Sequence, residues 1–342
     1  MIEIPLPPPE LARYVGAGGD GGDPVAQYVA QGEVFSRVLL SFFPAELALE
    51  GERVLDFGCG SGRFLRHLLN AGTGAVFEGC DIDEPSISWL GACLPAPHQV
   101  FLSDPDPPLE RPDGHYRLIY ATSVFTHLAE SWSSWLCELH RLLTKDGVLI
   151  ATIISAGVGE QFGEAPWNDE RVGMLVLGPG RPWHAGGPLV LHSEWWVRAH
   201  WGRAFEILAF DAGARDFGQG VVVMRKRGTT ITPQQLEAIE STEPREITAL
   251  THALHRAHDE SIQLNKQHDA YAEAYLHEAT SGRELQRQLD DVQRQLATAR
   301  AQYDDAQRVR TAVRIIVRGA SARTRALVHR ARGYRRPRRP AR

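Results

Sequence analysis

The chain has 342 residues, 43% of them hydrophobic, and a formal net charge of −5. That length fills one or two sizeable cores. No run of about 18 apolar residues occurs, so no membrane-spanning helix is expected, and the opening "MIEIPLPPPELARYVG" has neither the basic nor the apolar region of a signal peptide. The charge is uneven: residues 308–342 hold 13 Arg and no Asp or Glu, which leaves 24 basic against 42 acidic residues elsewhere. By charge alone the main part is not a general nucleic-acid binder, whereas the tail suits an anionic surface. Cys59, Cys80, Cys93 and Cys137 show no paired or metal-type spacing and read as reduced thiols of a cytosolic protein.

In chain order, residues 1 to about 23 are rich in Pro and Gly and read as an arm. "PVAQYVAQGEVFSRVLLSFFP" follows as a helix with Val34, Val38, Leu39 and Phe42 at helical spacing. From about Arg53 strands and helices alternate. "RVLDF", "AVFEGCDI", "QVFLSD", "YRLIYAT" and "GVLIATII" are strands. In "SWSSWLCELHRLL" the apolar residues line one helix face, with Ser131 as N-cap. A long Gly/Pro/Trp-rich segment over about 156–192 precedes a helix at "SEWWVRAHW" and two closing strands, "FEILAF" and "GVVVMRK". The alternation predicts an α/β doubly wound, mostly parallel seven-stranded sheet with an antiparallel edge hairpin.

After Arg227 a heptad seam begins: Ile247, Leu250, Leu254, Ala257, Leu264, Tyr271 and Tyr275, then Leu285, Leu289, Val292, Leu296, Ala299, Tyr303 and Ala306. Ser261, His268, Glu278 and Gly282 interrupt it. Two readings follow: a coiled coil between chains, which makes a homo-oligomer, or a helical hairpin packing on itself. The final segment places Val309, Val313, Ile316 and Val317 near one face and Arg310, Arg314 and Arg318 mostly outside it. Such a basic amphipathic helix fits peripheral attachment to an anionic membrane. The expected domains are 1–50 (arm and capping helix), 51–228 (the α/β domain), 229–310 (helical coiled coil) and 311–342 (basic tail).

The stretch "VLDFGCGSGR" packs Gly58, Gly60 and Gly62 between a strand and a helix. Bare backbone there lets a ligand meet free N–H groups. The spacing is G-x-G-x-G, not the G-x-G-x-x-G of a pyrophosphate site. Asp56 would repel a pyrophosphate and suits a ligand bearing an ammonium and a sulfonium. No Gly-Lys-Ser/Thr follows, which excludes a P-loop.

With "GCDID", "YATSVFTHL" and "LLTKDGVLIATI", this stretch resembles the class I S-adenosylmethionine-dependent methyltransferases over about Tyr28–Arg227. "TKDG" departs from the family's usual Pro-Gly-Gly, in a structural loop. The resemblance implies that Gly58, Gly60 and Gly62 line the methionine end of S-adenosyl-L-methionine and that Asp56 reaches its amino group. Asp81 would bridge the ribose hydroxyls, with Asp83 as its rival, and Ile82 would lie on the adenine. Ser103 or Asp104 would touch the adenine amino group, and Thr122 and Ser123 would sit under the sulfonium.

Methyl transfer from a sulfonium needs alignment and exclusion of water, and an oxygen nucleophile also needs a base. His127 is the candidate base; its other reading is a helix-start histidine that holds a loop. His184 and His192 are its rivals, and Trp183, Trp195 and Trp196 would stack on an acceptor or fill a core. No Cys/His cluster suggests a metal. Three functions follow: an O-methyltransferase for a glycan or other small molecule, cytoplasmic or peripheral at the inner membrane face; a methyltransferase for a protein or nucleic acid, nucleic acid being disfavoured by the acidic charge; or a coiled-coil scaffold that only binds cofactor.

Overall fold

In the computed structural model, residues 2–14, 22–162, 166–181, 186–214, 218–277 and 286–307 are described. The strands are β1 (Arg53–Phe57), β2 (Val76–Asp81), β3 (Gln99–Leu102), β4 (Tyr116–Ala121), β5 (Leu143–Ile153), β6 (Met174–Leu177), β7 (Leu189–His192), β8 (Phe205–Ala214) and β9 (Gln219–Lys226). Seven of them form one sheet in the order β3-β2-β1-β4-β5-β9-β8. The first five are parallel, and β9 runs against both its neighbours. Strand β8 slips register between Ile207 and Ala209 and between Asp211 and Ala214. The expected sheet and its closing hairpin are thus present.

The helices are α1 (Pro9–Tyr14), α2 (Pro24–Ser41), α3 (Leu65–Leu68), α4 (Glu84–Cys93), α5 (Trp132–Leu142), α6 (Ala156–Gly159), α7 (Glu194–His200), α8 (Pro233–Glu237), α9 (Arg245–His277) and α10 (286–307). One sheet face carries Val54, Phe77, Leu118, Tyr120, Val148, Ile150, Val221 and Val223, packed with Leu39 of α2, Leu65 of α3 and Leu90 of α4. On the same strands Leu55, Ile119 and Leu149 alternate with these residues, and they too are fully buried. That is the signature of a parallel sheet covered on both sides.

Two local expectations need correction. The buried face of α2 is Tyr28, Gly32, Ser36 and Leu39, and Val34 is exposed. Small residues face inward because α2 lies so close to the turn after β1: a Cβ at Gly32 would stand 2.8 Å from the Arg63 carbonyl. Ser131 occupies the N-cap position of α5, but its side chain makes no cap hydrogen bond.

The segment over 156–192 contains α6 and the β6–β7 hairpin, whose register runs from Met174↔His192 to Leu177↔Leu189. β7 is tied to the sheet's carboxyl end: His192 N–H donates to the Ile154 carbonyl (2.8 Å) and Val190 N–H to that of Thr126 (2.8 Å). Trp183, His184 and the whole 308–342 tail lie outside the described residues.

The chain divides into two compact units, 1–246 and 247–342. In the first, residues 228–246 fold back on α5 and α7. The Arg203 guanidinium donates to the carbonyls of Gln235 (2.6 Å), Leu236 (3.0 Å) and Ala238 (2.6 Å). In the second, α9 and α10 pair antiparallel. His258 meets Tyr303 (rings 5.0 Å apart), Arg300 donates to Asn265 (2.8 Å), and Gln293 meets His268 (3.2 Å). Val292, Leu296 and Ala299 are buried. Within one chain this is the packing that the hairpin reading describes.

Candidate active site

Chain direction at the end of β1 is set by glycine. Gly58, Gly60 and Gly62 all have left-handed backbones, with φ of 81°, 50° and 78°. A Cβ at Gly58 would collide with Val124 of the β4 exit loop, and one at Gly62 would stand 2.9 Å from Leu90 of α4. The turn is therefore left-handed by conformation and bare by packing. It is also sewn to β2: Gly58 and Cys59 N–H both donate to the Cys80 carbonyl (2.8 and 3.0 Å), and Gly60 N–H donates to Asp81 Oδ2 (2.7 Å).

Two carboxylates flank the turn in different states. Asp56 is fully buried, and neither of its oxygens has a hydrogen-bond partner. Burial pushes its pKa up to about 8; the nearby Tyr120 hydroxyl opposes this, and the Asp81 charge adds to it. Asp81 is partly buried and engaged by backbone alone, Oδ2 by Gly60 N–H and Oδ1 by Asp83 N–H (2.9 Å). Burial raises its pKa against those two hydrogen bonds. Each Asp81 oxygen keeps a lone pair for a further donor. Asp83 is occupied elsewhere, since its Oδ2 accepts from Ser86 N–H (3.0 Å) as the N-cap of α4. Beside this pair lie two exposed apolar side chains, Ile82 at 41% and Leu102 at 50%, at the adjacent ends of β2 and β3. Ser103 N–H bonds the Asp81 carbonyl (2.9 Å), while Asp104 is exposed.

The β4 exit loop forms the other wall. Ser123 has φ of 59°, costly for a residue with a Cβ. Its N–H donates to Thr152 Oγ1 (2.7 Å), and its Oγ accepts from Gln219 Nε2 of β9 (2.9 Å). Thr122 Oγ1 and Gln219 Oε1 are buried without partners. His127 Nδ1 lies 2.7 Å from the Pro188 carbonyl just before β7, so that nitrogen carries the proton and donates. Burial lowers its pKa, opposed by the Pro188 contact.

The structure thus brings Asp56, Gly58, Gly60, Gly62 and Asp81 into one hydrogen-bonded corner, with Ile82 at its rim and Ser123 and His127 on the neighbouring loop. His192 stands apart: it is fully buried, both ring nitrogens lack partners, and Trp196 and Trp201 pack on it at 5.5 and 5.2 Å. Burial drives its pKa down to about 3. Trp195 and Trp196 are likewise core. Trp196 stacks on His200 at 4.4 Å, and His200 reaches the Leu236 carbonyl (2.7 Å) and Glu246 (3.2 Å).

Sequence reading missed Gln219 and Tyr28. The Tyr28 hydroxyl donates to the Ser61 carbonyl within the glycine turn (2.8 Å). The only signal for either was a polar group on an otherwise apolar strand or helix face. Among the described residues no group of three or more His, Cys, Asp or Glu is placed to hold a metal, and no helix is long and apolar enough to cross a membrane. Cys59 and Cys80 stay free. A Cβ at Gly79 would meet the Cys59 sulfur, which places Cys59 on the face opposite Cys80.

Residues 28–184 match the family model of a methyltransferase domain. Over that span, a little under half of the chain, the sequence is similar to methyltransferase domains. No curated protein matches it. Solved structures similar to it include a putative methyltransferase of Haloferax volcanii, in complex with the Trm112 methyltransferase activator. That match has 17% identity and a TM-score of 0.47, covering 64% of this chain and 98% of that one. The magnesium protoporphyrin IX methyltransferase of Synechocystis PCC 6803, with bound SAH, has 18% identity and a TM-score of 0.43, covering 64% and 94%. A SAM-dependent methyltransferase of Aquifex aeolicus has 18% identity and a TM-score of 0.42, covering 64% and 99%. These likenesses are distant, and no acceptor or partner carries over from them.

Proposed function

We propose that this chain is an S-adenosylmethionine-dependent methyltransferase that acts on a hydroxyl oxygen of a glycan or other small molecule, and that the corner at β1 and β2 holds its cofactor. The observation that carries the cofactor site is Asp56: a fully buried carboxylate with no partner, behind a turn of three left-handed glycines. A buried carboxylate without a partner is costly unless a cation or donor arrives, and an ammonium group supplies both. Asp81, already oriented by two backbone N–H groups, would take the two ribose hydroxyls. Ile82 and Leu102 give an apolar resting place for the base. Gly58, Gly60 and Gly62 would let the methionine end lie against backbone, and Ser123 would face the sulfur. The residues present fit S-adenosylmethionine. When bound, its sulfonium supplies an already activated methyl group.

The chain's own work is then positioning and proton removal. His127 is our choice for the base. With its proton on Nδ1 and donated to Pro188, the ring keeps a lone pair on Nε2, and its lowered pKa keeps it neutral at pH 7. A base oriented by a second group has the geometry that nucleophile activation needs. The charge of the main part speaks against nucleic acid as acceptor. We further propose that the 308–342 tail attaches to anionic membrane, to be tested by flotation with and without it. Self-association through residues 245–307 is proposed on the seam residue Ile247, which stays exposed beside the α9–α10 pairing; sedimentation after truncation at Arg227 would check it.

The deciding experiment is calorimetric titration with S-adenosylmethionine and its demethylated product. Asp81→Ala should weaken both by about 1.5–3 kcal/mol, the worth of charged hydrogen bonds. Binding of NAD with no response to the sulfonium cofactor would overturn the site. Label from methyl-tritiated cofactor should appear in hydroxyl acceptors of a mixed panel, and label confined to amines would overturn the oxygen assignment.

A further inference from the structure

Residues 2–12 run along the outside of the glycine turn and the α3 segment. Asn70 clasps Ile2 twice: Ile2 N–H donates to Asn70 Oδ1 (2.8 Å), and Asn70 Nδ2 donates back to the Ile2 carbonyl (2.9 Å). Arg66 Nη2 donates to the carbonyls of Ile4 (3.3 Å) and Pro5, while its guanidinium lies over the Tyr28 ring at 5.2 Å. Ser61, inside the turn, is held from both sides. Its Oγ reaches the Leu11 carbonyl (3.4 Å), and its own carbonyl accepts from Tyr28. Ala12 and Tyr28 are fully buried in a small core of their own with Val25 and Val29, apart from the main core.

This attachment is lopsided. Most of its hydrogen bonds lie at the surface, and few apolar side chains anchor it, Ile4 on the main core with Pro7 and Ala12 buried, the profile of a segment that opens below the cost of global unfolding. Beneath it the turn is nearly closed, and Gly58 alone of residues 56–65 is not buried. Ser61 and Asp56 have no exposed surface, and Asp56, Thr122 and Gln219 each hold a buried polar atom without a partner. A ligand that reaches Asp56 needs something around this turn to yield, and the N-terminal segment rests on the turn's outer side through Ser61.

We propose that residues 2–14 are a strap latched by Arg66, Asn70 and Ser61, and that its release sets the rate at which the cofactor and its product exchange. The proposal rests on the reading of the glycine turn as the cofactor site. It makes Arg66 and Asn70 positioning residues for exchange without placing them in contact with the ligand. Because the strap touches the turn through Ser61 and is otherwise held by Arg66 and Asn70, away from the groups assigned to the ligand, loosening it speeds entry and exit together and leaves affinity nearly unchanged.

The test uses stopped-flow binding of S-adenosylhomocysteine to the full chain and to Arg66→Ala/Asn70→Ala. Both rate constants should rise roughly tenfold, with Kd changed by less than about threefold, as expected where a covering segment gates exchange. Unchanged rates would overturn the strap. Hydrogen exchange on ligand-free protein gives an independent readout: Ser61–Leu65 amides should exchange faster in the variant, and equal protection would also overturn it. If the double variant does not fold, Asn70→Ala alone is held to the same two criteria. Failure of the unaltered protein to bind S-adenosylhomocysteine, with faster exchange at Ser61–Leu65 in the variant, would leave the latch standing and sink the cofactor reading.

Discussion

Two carboxylates on neighbouring strands, both with side chains fully out of water, have opposite surroundings. Glu78 of β2 points to one sheet face and is ringed by Arg53 (2.7 Å), Arg111 (3.0 Å), the Tyr116 hydroxyl (3.0 Å) and His115 (3.4 Å). Burial alone would raise its pKa, but the Arg111 and Tyr116 hydrogen bonds outweigh it and hold the group below its ordinary range. Asp56 of β1 points to the other face and has no ion pair or hydrogen bond of this kind; burial pushes its pKa up to about 8, which the Tyr120 hydroxyl and Arg63 nearby only partly offset. One register step separates them, since Glu78 pairs with Leu55 and Gly79 with Asp56. The contrast separates a charge that the fold completes from a charge that the fold leaves for something else. Buried ionised groups persist when paired, and an unpaired one marks a functional position.

The largest effect that tests this contrast is on Glu78. Glu78→Ala should cost about 3 kcal/mol in denaturant unfolding, the low end for breaking a buried pair, because Arg53 and Arg111 can turn partly to water. Next comes Asp56→Asn. It should weaken S-adenosylmethionine binding by about 1.5–3 kcal/mol in calorimetry while leaving the ligand-free protein at least as stable at pH 8. Loss of ligand-free stability like that of Glu78→Ala would erase the distinction.

The pH dependence sharpens it further. A carboxyl whose folded pKa is raised binds its proton more tightly in the folded state. Its contribution is complete below the unfolded value, near 4, and is lost as pH rises to about 8. The unfolding midpoint of the ligand-free protein should therefore fall over that window, and Asp56→Asn should flatten the fall. The smallest effect belongs to His192, whose folded pKa is lowered to about 3. Its contribution is complete above about 6.5 and is lost as pH drops toward 3. His192→Phe should move stability at pH 7 by less than about 1 kcal/mol and make the acid limb shallower.

What the sequence discloses here follows from how local each cause is. The glycine turn was legible because left-handed backbone at Gly58, Gly60 and Gly62 is a property of those residues themselves, and the strands because their apolar runs are contiguous. Val34 misled because helical spacing names a stripe without saying which neighbour sets the approach, and close approach at Gly32 selects small residues. The Ser123–Gln219 bond joins residues 96 apart, across the strand between them, and no spacing rule reaches that far. His192 gave no sign of burial, since the rings that close on it belong to α7 (Trp196) and the turn after it (Trp201), and spacing alone does not say where they pack.

The outermost strands of the sheet bear on how it meets other chains. β3 is four residues long, and β8 is broken twice in register, with Glu206 and Asp211 along its length. An open strand edge is a template for another backbone unless it is short, bulged or charged. Here one edge is short and the other is both bulged and charged. The sheet is thereby finished at seven strands, and neither rim gives an incoming strand of another molecule a long, straight run of unpaired amides to zip onto.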